Sequence, residues 1–119
     1  MSTDDNSSPT ACIGWTTFEK RADAEHCAQQ LVAEGLAFCV QVEGTVQSHY
    51  RWEGKAEIGE EHPVRIKHMD HNGDAIQDWL RKNHPYDTPQ WIAVKACDSL
   101  EEYFLWALQN SKPRSAKTV

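Results

Sequence analysis

The chain predicts an α+β fold of the split-βαβ, ferredoxin-like kind, an antiparallel sheet covered by helices. Three observations carry this. The apolar period switches between two and about 3.6 along the chain, giving the order βαββαβ and one further helix. Two alternating segments between Phe38 and His68 flank Glu53-Gly54, which marks a long β-hairpin. The length, 119 residues, suits one domain with one core, and no repeat of solenoid spacing interrupts it.

The elements follow in order. Cys12 to Thr16 is a short apolar run that reads as a strand. Thr16-Thr17-Phe18-Glu19 has the T-x-x-E spacing of a capping box. It precedes a helical stripe of Ala24, Cys27, Ala28, Leu31 and Val32, and Gly35 supplies the C-terminal cap. From Phe38 the period becomes two: Val40, Val42, Gly44, Val46, Ser48, Tyr50 and Trp52 share one side, with a bend expected at Gly44-Thr45. The return strand runs from about Lys55 to His68, with Val64 and Ile66 inward and interruptions expected near Gly59 and Pro63. A ribbon this long outreaches one small core, so its outer part is expected to pair with a neighbouring subunit.

Asp70 to Gly73 reads as a loop, and Asn72 or Asp70 is placed to cap a helix carrying Ile76, Trp79, Leu80 and Asn83. His84-Pro85 ends that helix, because proline disfavours helical backbone at the residue before it. Trp91 to Cys97 alternates as a strand. Ser99-x-x-Glu102 then has the spacing of a second capping box, opening a helix to about Asn110. Leu100, Tyr103, Phe104, Ala107 and Leu108 make its core stripe, while Leu105 and Trp106 lie outside it. A helix apolar on more than one side is a second sign of an oligomer. Residues 1–10 read as a disordered tail, 11–111 as the folded domain and 112–119 as a basic, frayed tail.

Composition narrows the function. A net charge of −6 opposes nucleic-acid binding, which depends on Lys and Arg neutralising phosphates. No apolar run is long enough for a membrane span, and Met1 to Pro9 lacks a secretory apolar segment, so a cytoplasmic protein is expected. Cys12, Cys27, Cys39 and Cys97 are isolated from one another and sit in apolar company, as buried free thiols do.

Two stretches combine aromatic rings, turn residues and ionisable groups: Tyr50-Arg51-Trp52-Glu53-Gly54-Lys55 and His84-Pro85-Tyr86-Asp87-Thr88-Pro89. With Leu36-Ala37-Phe38-Cys39-Val40, Lys67 and Tyr103-x-x-Trp106, their order and spacing resemble the CutA family, small trimeric proteins linked to divalent-cation tolerance. The resemblance covers about Cys12 to Asn110. It implies a ferredoxin-like homotrimer, similar to PII signalling trimers, whose hairpins pair between subunits and whose clefts take a divalent metal ion, copper above all, or a small ligand. Family members credited with copper ligands carry a cysteine near the end of the first strand and a His-His pair before Pro-Tyr. Thr16, Asn83 and His84 stand at those places here, and Gln90 replaces a frequent glutamate.

The candidate metal ligands are therefore His84 and Asp87, with Tyr50, Trp52, Lys67 and Tyr86 as candidate ligand-binding residues. The alternative for His84 to Pro89 is a rigid turn with Tyr86 packed beneath and Asp87 capping backbone amides. Lys67 is read as a counter-ion for Asp87, an anion contact or a plain surface lysine. His68, Asp70 and His71 form a further nitrogen and oxygen cluster, read as a solvated loop. There is no G-x-S-x-G, Walker or dinucleotide-binding glycine pattern, so a binding protein is expected rather than an enzyme. A PII-like scaffold that takes a small ligand or partner protein without a metal is the alternative function.

Overall fold

The computed structural model describes residues 8–114; what is expected of residues 1–7 and 115–119 lies outside it. Five strands, β1 (Ala11–Phe18), β2 (Cys39–Val42), β3 (Val46–Trp52), β4 (Lys55–Met69) and β5 (Ile92–Lys95), build one antiparallel sheet. Three α-helices, α1 (Arg21–Ala33), α2 (Gly73–Asn83) and α3 (Glu101–Gln109), accompany it among the described residues. The strand order β2-β4-β1-β5, with β3 on the outer half of β4, is the ferredoxin-like order. No helix among the described residues is long and apolar enough to cross a membrane.

β4 organises everything. Its inner half lies between β1 and β2, with Thr16 opposite Val64 and Val42 opposite the same Val64. Its outer half pairs only with β3, from Val46 opposite Glu61 to Trp52 opposite Lys55. Glu53 and Gly54 both have positive φ, 51° and 80°, as a two-residue hairpin turn of right-handed strands requires. The ribbon lengthens the protomer: the Cα radius of gyration is 15.7 Å, against about 13 Å for a compact domain of this size.

The expected bend at Gly44-Thr45 is present as the gap between β2 and β3. The expected interruptions of β4 are absent. Pro63 lacks an amide hydrogen, but its carbonyl still accepts from Glu43 N at 2.9 Å, and the Tyr50 ring covers Gly59.

Side chains of α1 and α2 meet one face of the sheet in a core of Phe18, Ala24, Cys27, Leu31, Val64, Ile66, Ile76 and Leu80. α3 lies on the other face at one end, where Phe38, Met69 and Ala107 pack together. The rest of that second face is bare in the protomer, with Ile92 60 % and Val94 50 % exposed.

Both capping boxes are corrected. Thr16 is buried inside β1, and α1 starts at Arg21 with Lys20 at its cap position and no side-chain cap. Leu100, not Ser99, caps α3. Thr16 is held inside β1, where its pairing with Val64 overrides the local signal. Gly35 does end α1, at φ 73°. Leu36 N to Leu31 O and Gly35 N to Val32 O, both 3.0 Å, form the Schellman pair, with Leu31 and Leu36 buried together.

The 70–73 loop is a turn of 3-10 helix, Asp70–Asn72, and most of its side-chain polar groups are occupied rather than solvated, His71 Nδ1 excepted. Asp70 Oδ1 accepts from Thr10 N, while His71 Nε2 and Asn72 Nδ2 both donate to the Lys112 carbonyl, at 2.8 and 3.1 Å. Lys112 N in turn donates to Gly35 O at 2.7 Å, so the chain stays tied down through Lys112. His68 is buried under Trp91. Burial lowers its pKa, against the Ile66 carbonyl and Asp70, which favour the cation. Three thiols match the expected burial at least in part; Cys97 is exposed. Leu100, Tyr103 and Val32, expected in core stripes, are exposed in the protomer.

Candidate functional site

The chemistry gathers where β1, the base of the hairpin and the turn after α2 meet. α2 stops at Asn83 and the backbone of His84 turns extended, as its position before Pro85 demands. The His84 ring enters the protein here. It stacks on Phe18 with centroids 4.2 Å apart and planes 12° from parallel, and the residue is only 8 % exposed.

Its two nitrogens have opposite duties. Nε2 lies 2.8 Å from the Thr17 carbonyl, which can only accept, so Nε2 carries the proton. Nδ1 accepts from the Tyr86 amide at 3.2 Å, so it carries the lone pair. Burial lowers the His84 pKa, opposed by the Thr17 carbonyl and the carboxylates of Asp23 and Glu61. The ring is a neutral imidazole near pH 7.

Glu61 is the centre of the site, and sequence reasoning missed it. Its Oε2 accepts from Thr17 Oγ1 at 3.0 Å and from the Tyr86 hydroxyl at 2.8 Å. Burial works to raise its pKa, but the hydroxyls of Ser48, Tyr86 and Thr17, with His84 nearby, outweigh burial and hold it below the ordinary carboxylate value. Tyr86 moves the other way: burial first, then its bond to Glu61, push the phenol well above its usual range. It is a neutral donor at any physiological pH.

A signal for Glu61 was present in the hairpin register. Counting back from the Glu53-Gly54 turn pairs Trp52 with Lys55, Tyr50 with Glu57, Ser48 with Gly59 and Val46 with Glu61. That places Glu61 on the face shared by Ser48, Tyr50 and Trp52.

Of the residues singled out in the sequence, the structure brings His84 and Tyr86 together, and Tyr50 stands on the face of the ribbon that also carries Glu61. Trp52 sits farther out at the ribbon tip, 44 % exposed. Asp87 is exposed in the 84–89 turn. Lys67 is elsewhere. It stands six residues along β4 from Glu61, about 20 Å at strand rise, with Nζ 5.8 Å from the Tyr103 ring centroid. Among the described residues of the protomer, Lys67 forms no ion pair with Asp87. It borders instead a groove of about 390 Å³ between β1 and α3 that includes Phe38, Leu100 and Tyr103.

Comparison with known proteins agrees with the fold. The chain is 31% identical over 96 residues to the divalent-cation tolerance protein CutA of Yersinia pestis (strain Pestoides F), covering 81% of each chain. Among solved structures, CutA1 from the psychrotrophic bacterium Shewanella sp. SIB1 superposes with a TM-score of 0.85 at 31% identity, over 90% of this chain and all of that one. CutA from Xylella fastidiosa gives 0.83 at 32% identity, over 87% and 99%. The family model described as CutA1 divalent ion tolerance protein matches residues 12–110, nearly the whole described domain, and the chain belongs to that family.

Proposed function

We propose that this chain acts in divalent-cation tolerance by binding rather than turnover, as a homotrimer whose shared crevices take a cation beside Glu61. The half-buried Glu61 carboxylate, which accepts from the Thr17 and Tyr86 hydroxyls that help hold its pKa down, is the observation that carries this reading. Two more carboxylates, Glu19 and Asp23, add their fields at Tyr86 and His84. Such a surrounding attracts positive charge and repels nucleotides and other anions. The exposed rings of Tyr50 and Trp52 add aromatic faces, which also favour cations.

The trimer is supported by the ribbon, which reaches beyond its own core, and by apolar surface that a solitary protomer leaves in water: Ile92, Val94, Leu105 and Trp106. Copper, which the resemblance implies, fits the residues present poorly. It favours thiolate and several imidazole or tetragonal ligands. Thr16 is fully buried, Asn83 uses its amide on the Trp79 carbonyl, and no group of three or more His, Cys, Asp or Glu among the described residues is spaced to hold a metal. A hydrated, oxygen-seeking divalent ion suits a carboxylate ringed by hydroxyls better.

Light scattering on the eluted protein tests the assembly, and a well-folded monomer at micromolar concentration would remove the shared crevice. NMR titration tests the ligand. Mn(II) is expected to broaden Glu61 and Tyr86 at concentrations below about 1 mM, Mg(II) to compete, and Glu61→Gln to weaken the effect about tenfold or more. Shifts at these residues with ATP, and none with the cations, would favour a PII-like ligand site instead.

A further inference from the structure

The resemblance gives His84 the role of a metal ligand. The geometry points to another: we infer that His84 is a positioning residue, a neutral strut that ties the end of β1 to the 84–89 turn and so aims the Tyr86 hydroxyl at Glu61.

The two residues that His84 holds by their main chains are Thr17 and Tyr86. The same two residues hold Glu61 by their hydroxyls. One ring thus closes a circuit of four hydrogen bonds, from the Thr17 carbonyl through the imidazole to the Tyr86 amide, then from the Tyr86 hydroxyl through Glu61 to the Thr17 hydroxyl. Two long-range segments, 67 residues apart in sequence, are fixed to within a hydrogen bond by a side chain with no freedom to flip. Exchanging the tautomer would set a donor against the Tyr86 donor and a lone pair against the Thr17 carbonyl, losing both bonds.

Metal ligation would need a lone pair in the ring plane. Nδ1 spends its lone pair on the Tyr86 amide, and Nε2 carries the proton that Thr17 accepts. Freeing either nitrogen breaks one arm of the circuit, and turning the ring outward also removes it from Phe18 and from the Tyr86 ring, 4.7 Å away. The positions where the resemblance implies further ligands give no compensation here, since they hold a buried hydroxyl, Thr16, and an engaged amide, Asn83. This inference does not depend on what the crevice binds.

Long-range ¹⁵N spectra of the full chain, with and without one equivalent of Zn(II), test it. His84 is expected to show the Nε2-protonated neutral tautomer and to keep it when Zn(II) is added. Amide exchange supplies the second readout. Asparagine places an acceptor where Nδ1 was, so His84→Asn is expected to keep Tyr86 N–H protection within about threefold. His84→Gln keeps only the donor toward Thr17, and its Tyr86 amide is expected to exchange about tenfold faster, the worth of one hydrogen bond. A Zn(II)-dependent shift of the His84 nitrogens at stoichiometric metal would overturn the strut. So would equal Tyr86 protection in the Asn and Gln variants.

Discussion

Tyr86→Phe removes one oxygen and leaves the ring. The lost group is a 2.8 Å donor to Glu61, a carboxylate that is ionised and half-buried. Hydrogen bonds to charged groups contribute about 1.5–3 kcal/mol. Two effects reduce this: Thr17 continues to hold Glu61, and the site is partly open to water. A loss of about 1–2 kcal/mol near pH 7 is expected. For a chain of 119 residues that lowers the melting temperature by roughly 4 °C per kcal/mol. Urea unfolding should be run at one fixed protein concentration, because assembly adds to apparent stability. The sign of the pH dependence follows from Glu61. Its folded pKa is depressed, so the stabilisation is present above the unfolded carboxylate value near 4.3 and fades as pH falls through the folded value. The gap between wild type and Tyr86→Phe should therefore shrink by about half or more in acid, where only a neutral pair remains. In a Glu61→Gln background the same substitution should cost less than about half as much. A Tyr86→Phe cost below about 0.3 kcal/mol at pH 7, or equal costs in the two backgrounds, would refute Glu61 as the centre of the circuit.

Three further outcomes are expected. A Cβ added at Gly14 would lie 2.2 Å from Trp91 Cη2, so Gly14→Ala must displace the indole and should cost about 1–3 kcal/mol in urea unfolding. Thr16 Oγ1 is fully buried with no hydrogen-bond partner, so Thr16→Val, which keeps the branched shape, should raise stability by about 1 kcal/mol. Burial depresses both His68 and His84, so the unfolded chain takes up protons first, and stability should fall as pH drops below about 6.5. The slope should reach at most about 1.4 kcal/mol per pH unit for each histidine, and His84→Asn should remove the part due to His84.

The sheet and helices were legible because their apolar periods are long and clean. Ala24, Cys27 and Leu31 repeat at helical spacing and are buried as that spacing demands. Boundaries were less legible. Thr16 offered a cap, yet its place opposite Val64 buried it in the sheet, an interaction 48 residues away in sequence. Leu100 and Tyr103 have the pattern of core residues but face out of the protomer, and a pattern records only that apolar surface needs a cover. His68 and His71 read as solvated because nothing local reveals that Trp91 lies over one and the Lys112 carbonyl meets the other. Glu61 was hidden beside Glu57 and Glu60: the hairpin register turns Glu60 to the other face, but only the meeting of β1 and the 84–89 turn at the ribbon's base distinguishes Glu61 from Glu57.

The position of Glu61 explains why the site lies where it does. It is the last residue of β4 to pair with β3, and His62, the next, is the first to pair with β1. The ribbon therefore leaves the core at this carboxylate. At this junction the hydroxyls of Thr17 from β1 and Tyr86 from the turn converge on the Glu61 side chain, and Ser48 of β3 helps hold its pKa down. The circuit ties the base of the ribbon to β1 and the 84–89 turn, and it is expected to set the angle at which the ribbon departs. If ribbons pair between subunits, a ligand at Glu61 acts on that angle, and binding and assembly are thermodynamically linked. The linkage has a definite sign: a cation that compacts the site should slow dissociation of the trimer, and Glu61→Gln should abolish the effect while leaving the unliganded trimer intact. Subunit exchange between isotopically labelled and unlabelled protein, followed by native mass spectrometry with and without Mn(II), measures it. Identical exchange rates in wild type with and without the ion would show that the departure angle is set by the sheet alone.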